Sequence, residues 1–395
     1  MPARHSGVSC GRGFPPAMSG ASQERNILRI TRLTAYRQEQ PFREGAYTCS
    51  GGRQALGFDS TIMRIDCDDG LTGWGEMAPL GAFYDPSFAA GARAAIAEYA
   101  PALIGEDPAQ LVALNRRMDH LLKGHPYAKA AVDMACWDIL GKRADLPLAE
   151  LLGGRFGETV ELYRSVSQDE PARMAAQARR FVETGYRRIQ VKVGLDPDED
   201  IERLEAVRDA AGRGVVLFAD ANGGWTTLQV RRFLAATRQI DYALEQPCAT
   251  YEECRAIRPA CDRPLILDES IDSLQALVRA HADRLVDGIT IKIARVGGIT
   301  RARLIRDVAV ELGIAVTVED TGGAEIDTAA MAHLSLSTPE ALRLHTVDFH
   351  NWVSVSNAAG MPPCSDGRMS APTAPGLGVE PFEDRLGAPV FAIGA

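Results

Sequence analysis

The sequence predicts an α/β protein in which a smaller N-terminal α+β domain precedes a modified (β/α)8 barrel, the TIM-barrel architecture. Three observations predict this fold. The length of 395 residues exceeds the roughly 250 residues of a typical barrel. Strand-like patterns come first and helical patterns follow as far as Gly154. Strand and helix then alternate to about residue 350, as a barrel requires.

These patterns divide the chain into four parts. Residues 1–26 are rich in Gly, Pro and Ser and lack an apolar run, so we interpret them as a disordered leader rather than a signal peptide. The α+β domain is predicted at 27–154 and the barrel at 155–360. The remaining segment, 361–395, is expected to pack back on the first domain.

The N-terminal domain shows a hairpin followed by helices. Ile62–Asp66 alternates in polarity and passes through Asp68-Asp69-Gly70 into Leu71–Glu76, which is typical of a β-hairpin. Ala128–Lys142 carries an apolar stripe with helical spacing, and Gly153-Gly154 marks the end of the helical region.

Eight candidate strands, each followed by a candidate connection, predict the barrel. The strands are Val160–Val166, Arg188–Val193, Val215–Ala219, Tyr242–Leu244, Leu265–Leu267, Gly288–Ile293, Ile314–Val318 and Arg343–Val347. Helical stretches between them include Asp198–Ala211, Thr227–Thr237, Ser273–Ala282, Thr300–Leu312 and Asp327–Leu336.

Composition narrows the class of function. Hydrophobic residues make up 46% and charged residues 24% of the chain, as in folded globular proteins. The net charge of −9 argues against nucleic acid or an anionic membrane surface as the main partner. No apolar run approaches the roughly 20 residues of a spanning helix. The eight cysteines show no CxxC spacing, which favours a reduced, cytoplasmic protein.

Three consecutive candidate strands end in a carboxylate. Asp220, Glu245 and Asp268 follow the third, fourth and fifth strands, and the carboxyl ends of barrel strands meet at one rim. Such carboxylates repel one another unless a cation lies among them, and hard oxygen ligands suit Mg²⁺. The alternative is that each acid only caps the helix that follows it.

Two lysines lie in otherwise apolar strands. Lys192 ends the second strand and Lys292 the sixth, so both ammonium groups should reach the polar mouth of the barrel. One lysine could act as a base and the other as an acid on opposite faces of a substrate. Alternatively, each is an ion-pair partner of the nearby carboxylates.

This set of residues suits one kind of chemistry, removal of the proton α to a carboxylate. A cation that binds the carboxylate stabilises the negative charge that develops on deprotonation. The residues alone leave the outcome open between epimerisation, loss of a β-leaving group, and ring opening or closure.

The same residues resemble the enolase superfamily, in its mandelate racemase/muconate lactonizing enzyme branch. The likeness runs from about Leu28 onward and includes Thr72–Glu76, Ala128–Lys142 and Leu151–Gly154 together with the three carboxylates and two lysines. The resemblance implies an N-terminal capping domain over a modified barrel, one Mg²⁺ per subunit, a small carboxylate substrate and a homo-oligomer.

Two departures from the family pattern are informative. Gln190 stands where a first lysine often precedes Lys192, and the seventh strand continues into Glu319-Asp320-Thr321 without a histidine. The resemblance therefore points to the group that uses two lysines. Within it the chain resembles the cis-3-hydroxy-L-proline dehydratases and the hydroxyproline-betaine epimerases through Gly81–Ser87, Gly124–Ala130, Leu244–Cys248 and Asp320–Gly323.

The dehydratase resemblance implies conversion of cis-3-hydroxy-L-proline into Δ1-pyrroline-2-carboxylate, with Lys192 as base and Lys292 as acid. A 2-epimerase or racemase of proline betaine or another N-substituted amino acid would use the same lysines. A binding barrel without catalysis is the alternative from another class.

Substrate recognition is expected from residues around the two lysines. The candidate substrate-binding residues are Tyr84, Gln190, Asn222, Asp320 and Thr321. Asp320 could accept a hydrogen bond from a ring ammonium, or it could instead cap a helix.

Overall fold

The computed structural model of the protein describes residues 27–394. The predicted leader, residues 1–26, lies outside the described residues. The N-terminal domain contains five strands, namely β1 (Ile30–Pro41), β2 (Tyr47–Cys49), β3 (Arg53–Ala55), β4 (Gly57–Cys67) and β5 (Thr72–Met77). Four helices follow them, namely α1 (Ala89–Tyr99), α2 (Leu111–Leu121), α3 (Pro126–Ala144) and α4 (Leu148–Leu151).

The sheet of this domain packs closely on α3. β1, β4 and β5 pair in that order, all antiparallel, and α3 lies across β5. A Cβ atom on Gly73 would come within 2.2 Å of the Ala135 carbonyl oxygen, and one on Gly75 within 2.0 Å of the Ala131 carbonyl oxygen. The glycines of β5 therefore allow the helix to approach this strand closely.

The barrel alternates strand and helix as the sequence predicts. Its strands are β6 (Val160–Glu161), β7 (Tyr163–Val166), β8 (Arg188–Lys192), β9 (Val216–Asp220), β10 (Ala243–Glu245), β11 (Leu265–Leu267), β12 (Gly288–Lys292) and β13 (Ala315–Glu319). Its helices are α5 (Pro171–Glu183), α6 (Pro197–Ala211), α7 (Thr227–Ala236), α8 (Tyr251–Ile257), α9 (Leu274–Ala282), α10 (Ile293–Val296), α11 (Ile299–Glu311) and α12 (Glu325–Leu336).

β7 to β13 form one parallel sheet of seven strands in chain order, and the predicted fold class is confirmed. The prediction of a regular eighth strand at 343–347 is wrong. That segment lies between the two sheet edges, and Leu344 donates its amide to Val316 (2.8 Å) while Tyr163 donates to Thr346 (3.0 Å). It makes one isolated parallel bridge to each side, between Arg343 and Val316 of β13 and between Thr346 and Leu162 just before β7, too few for a continuous ladder.

The C-terminal segment contacts both domains. It contains the short strands β14 (Ala358–Ala359), β15 (Arg368–Met369), β16 (Glu380–Pro381) and β17 (Phe391–Gly394). β15 pairs with β6 of the barrel, whereas β17 pairs antiparallel with β1 at the edge of the N-terminal sheet. Among residues 27–394, no helix is both long and apolar enough to cross a membrane.

Candidate active site

A small, partly open cavity lies where the carboxyl ends of the barrel strands meet the N-terminal domain. Its volume is about 40 Å³. Its polar lining is Tyr47, Tyr84, Tyr163, Gln190, Lys192, Asp220, Asp268, Lys292, Glu319, Asp320 and Thr321, and its other lining residues are Phe42, Cys49, Phe58, Leu80, Phe349 and Trp352. Eight of the ten predicted site residues therefore line one cavity, and the other two, Glu245 and Asn222, lie beside it.

Strand register places the predicted carboxylates side by side. Glu245 lies opposite Asp220 on the neighbouring strand, and Asp268 follows the end of β11 by one residue. Glu245 is held below the cavity, where it accepts hydrogen bonds from Gln190 (3.0 Å) and Thr290 (2.9 Å). Burial, together with the charges of Asp220 and Asp268, raises the pKa of Glu245 well above its usual value.

A fourth buried carboxylate, Glu319 at the end of β13, joins this cluster. Oxygen atoms of Glu245, Asp268 and Glu319 lie within 4.8 Å of one another, whereas Asp220 is turned toward Lys192. The sequence carried a signal for Glu319, because it ends its strand as the other three acids end theirs. Buried carboxylates so close together are stable as anions only with a compensating positive charge, so this donor set fits a hard divalent cation.

Lys192 reaches the cluster from one flank. Its Nζ donates to Asp220 Oδ2 (2.5 Å) and Asn222 Oδ1 (3.1 Å). Asn222 adopts a left-handed backbone conformation with φ of 44°, and its side-chain amide donates to Glu269 (3.0 Å). Although burial alone would lower the pKa of Lys192, Asp220 and Tyr47 raise it well above its usual value.

Lys292 reaches the cluster from the opposite flank. Its Nζ donates to Glu319 Oε1 (2.6 Å) and lies 3.5 Å from Asp268 Oδ2. Tyr163 donates its hydroxyl to the other oxygen of Glu319. Burial alone would lower the pKa of Lys292, but the charges of Asp268 and Glu319 raise it above its ordinary value. In sheet order, β8 and β12 flank the strands that carry the predicted cation ligands.

Asp320 and Thr321 are held by backbone contacts. Asp320 accepts the amide protons of Ala294 (2.8 Å) and Thr321 (2.7 Å), so it fixes the first turn of α10. Thr321 donates its hydroxyl to the Ala78 carbonyl oxygen of the N-terminal domain (2.9 Å). Burial raises the pKa of Asp320 to about 6, despite these hydrogen bonds.

Aromatic side chains cover the outer side of the cavity. Phe42, Tyr47 and Phe58 come from the N-terminal domain, and Phe349 and Trp352 follow the segment that closes the barrel. Their rings contact one another in edge-to-face pairs, with centroid distances between 4.8 and 6.4 Å. A substrate in this cavity would meet charged groups on the barrel side and apolar rings on the other.

The chain matches two family models that cover most of its length. Residues 47–153 match the mandelate racemase/muconate lactonizing enzyme N-terminal domain, and residues 173–385 match the enolase C-terminal domain-like model.

Individual relatives agree with these models. The chain is 45% identical to a cis-3-hydroxy-L-proline dehydratase of Roseibium aggregatum over 92% of this chain and 99% of that protein. It is 30% identical to an N-succinyl-L-Arg/Lys racemase of Bacillus cereus over 78% of this chain and 85% of the relative. A crystal structure of an enolase superfamily member from Roseovarius nubinhibens, complexed with magnesium, superposes with a TM-score of 0.87 at 40% identity, covering 93% of this chain and 100% of the other.

Proposed function

The chain belongs to the mandelate racemase/muconate lactonizing enzyme family of the enolase superfamily, and from that premise we propose that it is a Mg²⁺-dependent dehydratase of a proline-derived carboxylate. The proposed reaction converts cis-3-hydroxy-L-proline into Δ1-pyrroline-2-carboxylate. The observation that carries the proposal is the position of two buried lysines, Lys192 and Lys292, on opposite flanks of a buried carboxylate cluster in one cavity.

In the proposed mechanism Lys192, in its neutral form, removes the hydrogen from C2 of the substrate. The electron pair of that C–H bond forms the C2–C3 double bond, and the C3–O bond breaks. Lys292 donates a proton to the leaving hydroxyl, which departs as water. The resulting enamine tautomerises to Δ1-pyrroline-2-carboxylate. When bound, Mg²⁺ stabilises the negative charge that develops on the substrate carboxylate.

The stereochemistry of the substrate agrees with this placement. In cis-3-hydroxy-L-proline the hydroxyl lies on the same ring face as the carboxylate, and therefore opposite the C2 hydrogen. A base on one flank and an acid on the other can reach both groups at once. Lys292 also pairs with the carboxylate of Glu319, which is not one of the predicted cation ligands. This negative charge stabilises the ammonium form of Lys292 and supports the assignment of Lys292 as the acid.

The cation ligands in this proposal are Asp220, Glu245 and Asp268, with one Mg²⁺ per subunit. Gln190 and Thr290 would orient Glu245 through the hydrogen bonds they already make. The magnesium complex of the Roseovarius relative supports the choice of metal. The homo-oligomeric state and the cytoplasmic location stay predictions.

The substrate assignment rests on the 45% identity to the Roseibium dehydratase. The likeness to the N-succinyl-L-Arg/Lys racemase favours the second candidate, a 2-epimerase or racemase of proline betaine or another N-substituted amino acid. That enzyme would need the same two lysines, since it removes the α-proton on one face and returns it on the other.

The test is incubation of the Mg²⁺-loaded protein in D₂O with the isomers of 3-hydroxyproline and of proline betaine. A dehydratase forms the cyclic imine from cis-3-hydroxy-L-proline. An epimerase instead returns substrate that is inverted and deuterated at C2. A non-catalytic binding barrel gives neither result, and absence of turnover on every isomer would contradict the proposed substrate class.

A further inference from the structure

The side-chain carboxylate of Asp268 differs from those of the other predicted cation ligands because it accepts a hydrogen bond from the N-terminal domain. Tyr84, in the loop after β5, donates its hydroxyl to Asp268 Oδ2 (2.6 Å). The carboxylate of Asp220, by contrast, accepts hydrogen bonds from Lys192 (2.5 Å) and the Asn222 amide (2.9 Å), both from the barrel, whereas Ser50 of the N-terminal domain donates to the Asp220 backbone carbonyl oxygen (3.2 Å). Among the described residues, the hydrogen bonds to the Glu245 carboxylate likewise come from side chains of the barrel.

A second path connects the same loop to Asp268 through Arg295. Arg295 donates from Nη1 to Asp268 Oδ1 (2.5 Å) and from Nη2 to the Tyr84 hydroxyl (3.2 Å). Its Nε lies 3.0 and 3.2 Å from the two oxygens of Asp85. All of these charged groups are buried, so each depends on the others for compensation of its charge.

We infer that the loop Gly81–Ser87 of the N-terminal domain is a structural part of the cation centre, in which Tyr84 directly and Asp85 through Arg295 hold Asp268 in its ligating position. This inference rests on the proposed function only in taking Asp268 as a cation ligand. Groups that hydrogen-bond a metal ligand set its orientation, and their removal typically weakens metal binding about 10- to 100-fold.

The two residues act on Asp268 in different ways. Tyr84 fixes one carboxylate oxygen, and its ring also lies 5.4 Å from Lys292 Nζ. Asp85 offsets the charge of Arg295, which would otherwise compete with a cation for Asp268. Since binding is reciprocal, a cation on Asp268 should in turn stabilise the loop in its observed position. Binding of a cation should therefore favour the position of the N-terminal domain over the cavity.

The test is calorimetric titration of the substrate-free, full-length protein with Mg²⁺. Tyr84→Phe keeps the ring and removes the hydroxyl, and its dissociation constant for Mg²⁺ should rise about tenfold. Asp85→Asn should also raise that constant. Tyr251→Phe is the matched control, because Tyr251 also donates its hydroxyl to a carboxylate, that of Asp283 (2.7 Å), but lies outside the cavity lining; its affinity for Mg²⁺ should stay that of the wild type.

Hydrogen exchange of the wild-type protein gives a second readout that needs no variant. Mg²⁺ should slow amide exchange in Gly81–Ser87 and leave the turn Asp68–Gly70 unchanged, and Tyr84→Phe should reduce that protection. Equal Mg²⁺ affinities for Tyr84→Phe and Tyr251→Phe, or Mg²⁺-independent exchange in the loop, would overturn this inference alone. A wild-type protein that binds no Mg²⁺ would overturn it together with the proposed function.

Discussion

The two flanks of the cavity hold their lysines in different ways. Lys192 pairs with Asp220, which the proposal assigns to the cation, and with the neutral amide oxygen of Asn222. Lys292 pairs with Glu319 and lies farther from Asp268. Lys292 therefore has a carboxylate partner outside the proposed ligand set, and Lys192 has none among its hydrogen-bond partners.

This difference is the physical reason for proposing Lys192 as the base and Lys292 as the acid. A cation shared by Asp220, Glu245 and Asp268 would reduce the negative charge available to both lysines. Glu319 would still stabilise the ammonium form of Lys292, whereas Lys192 would be left with burial, which favours the neutral amine. The flank of Lys192 thus suits a base and the flank of Lys292 an acid.

Removal of either lysine should have the largest effect. Lys192→Ala and Lys292→Ala should each lower kcat by about 10²- to 10⁴-fold, because each deletes one proton-transfer group. Steady-state kinetics on cis-3-hydroxy-L-proline would measure this. Lys123→Ala, at an exposed position, is the control and should retain wild-type activity. Near-normal turnover of either site variant would contradict its assigned role.

The identity of the third cation ligand can be tested next. The proposal predicts that Asp220→Asn weakens Mg²⁺ binding about 10-fold or more, whereas Glu319→Gln changes it much less. Calorimetric titration without substrate compares the two variants directly. The reverse order of effects would place the cation among Glu245, Asp268 and Glu319, the group whose oxygens already lie close together, and would remove the asymmetry between the flanks.

Glu319→Gln should also shift the pH dependence. A neighbouring negative charge raises the pKa of an ammonium group, so its removal should lower the pKa of Lys292 by about 1 unit or more. Because the acid must be protonated, the high-pH limb of the kcat profile should move to lower pH. The low-pH limb, which reports deprotonation of Lys192, should move less. An unmoved high-pH limb would show that Glu319 does not govern Lys292.

Gln190→Lys should have the smallest effect. It places a cation beside Lys192, which lowers the pKa of that lysine and moves the low-pH limb of the kcat/KM profile to lower pH. The new ammonium would also meet Glu245, the present partner of Gln190, so we expect a shift below about 1 unit. A shift to higher pH would contradict the assignment of Lys192 as the base.

The sequence predicts the barrel well because each β/α unit carries its own local pattern. Seven of the eight candidate strands lie within one or two residues of those in the structure. The eighth, 343–347, fails because the segment meets each edge of the sheet in one isolated bridge rather than a ladder. Whether this segment forms a ladder depends on the spacing between the two edges of the sheet, and the polarity pattern of five residues carries no information about that spacing.

In the candidate site, too, local features could be predicted from the sequence and contacts between distant residues could not. Asp220, Glu245, Asp268 and the two lysines can be predicted from the rule that polar groups at strand ends share one rim. Tyr84, predicted as a substrate-binding residue, lines the cavity, and the hydrogen bond from its hydroxyl to Asp268 could not be predicted from the sequence. Asp85 and Arg295 lie 210 residues apart in the chain, and no spacing rule connects positions so distant.

In the proposed reaction, Lys192 removes the α-proton and Lys292 assists the leaving group. The most direct measurement follows the C2 hydrogen of cis-3-hydroxy-L-proline by NMR in D₂O with each Mg²⁺-loaded lysine variant. Lys292→Ala should still exchange that hydrogen for deuterium faster than it forms the imine, whereas Lys192→Ala should show neither reaction. Exchange by Lys192→Ala, with none by Lys292→Ala, would mean that the two lysines have the opposite roles.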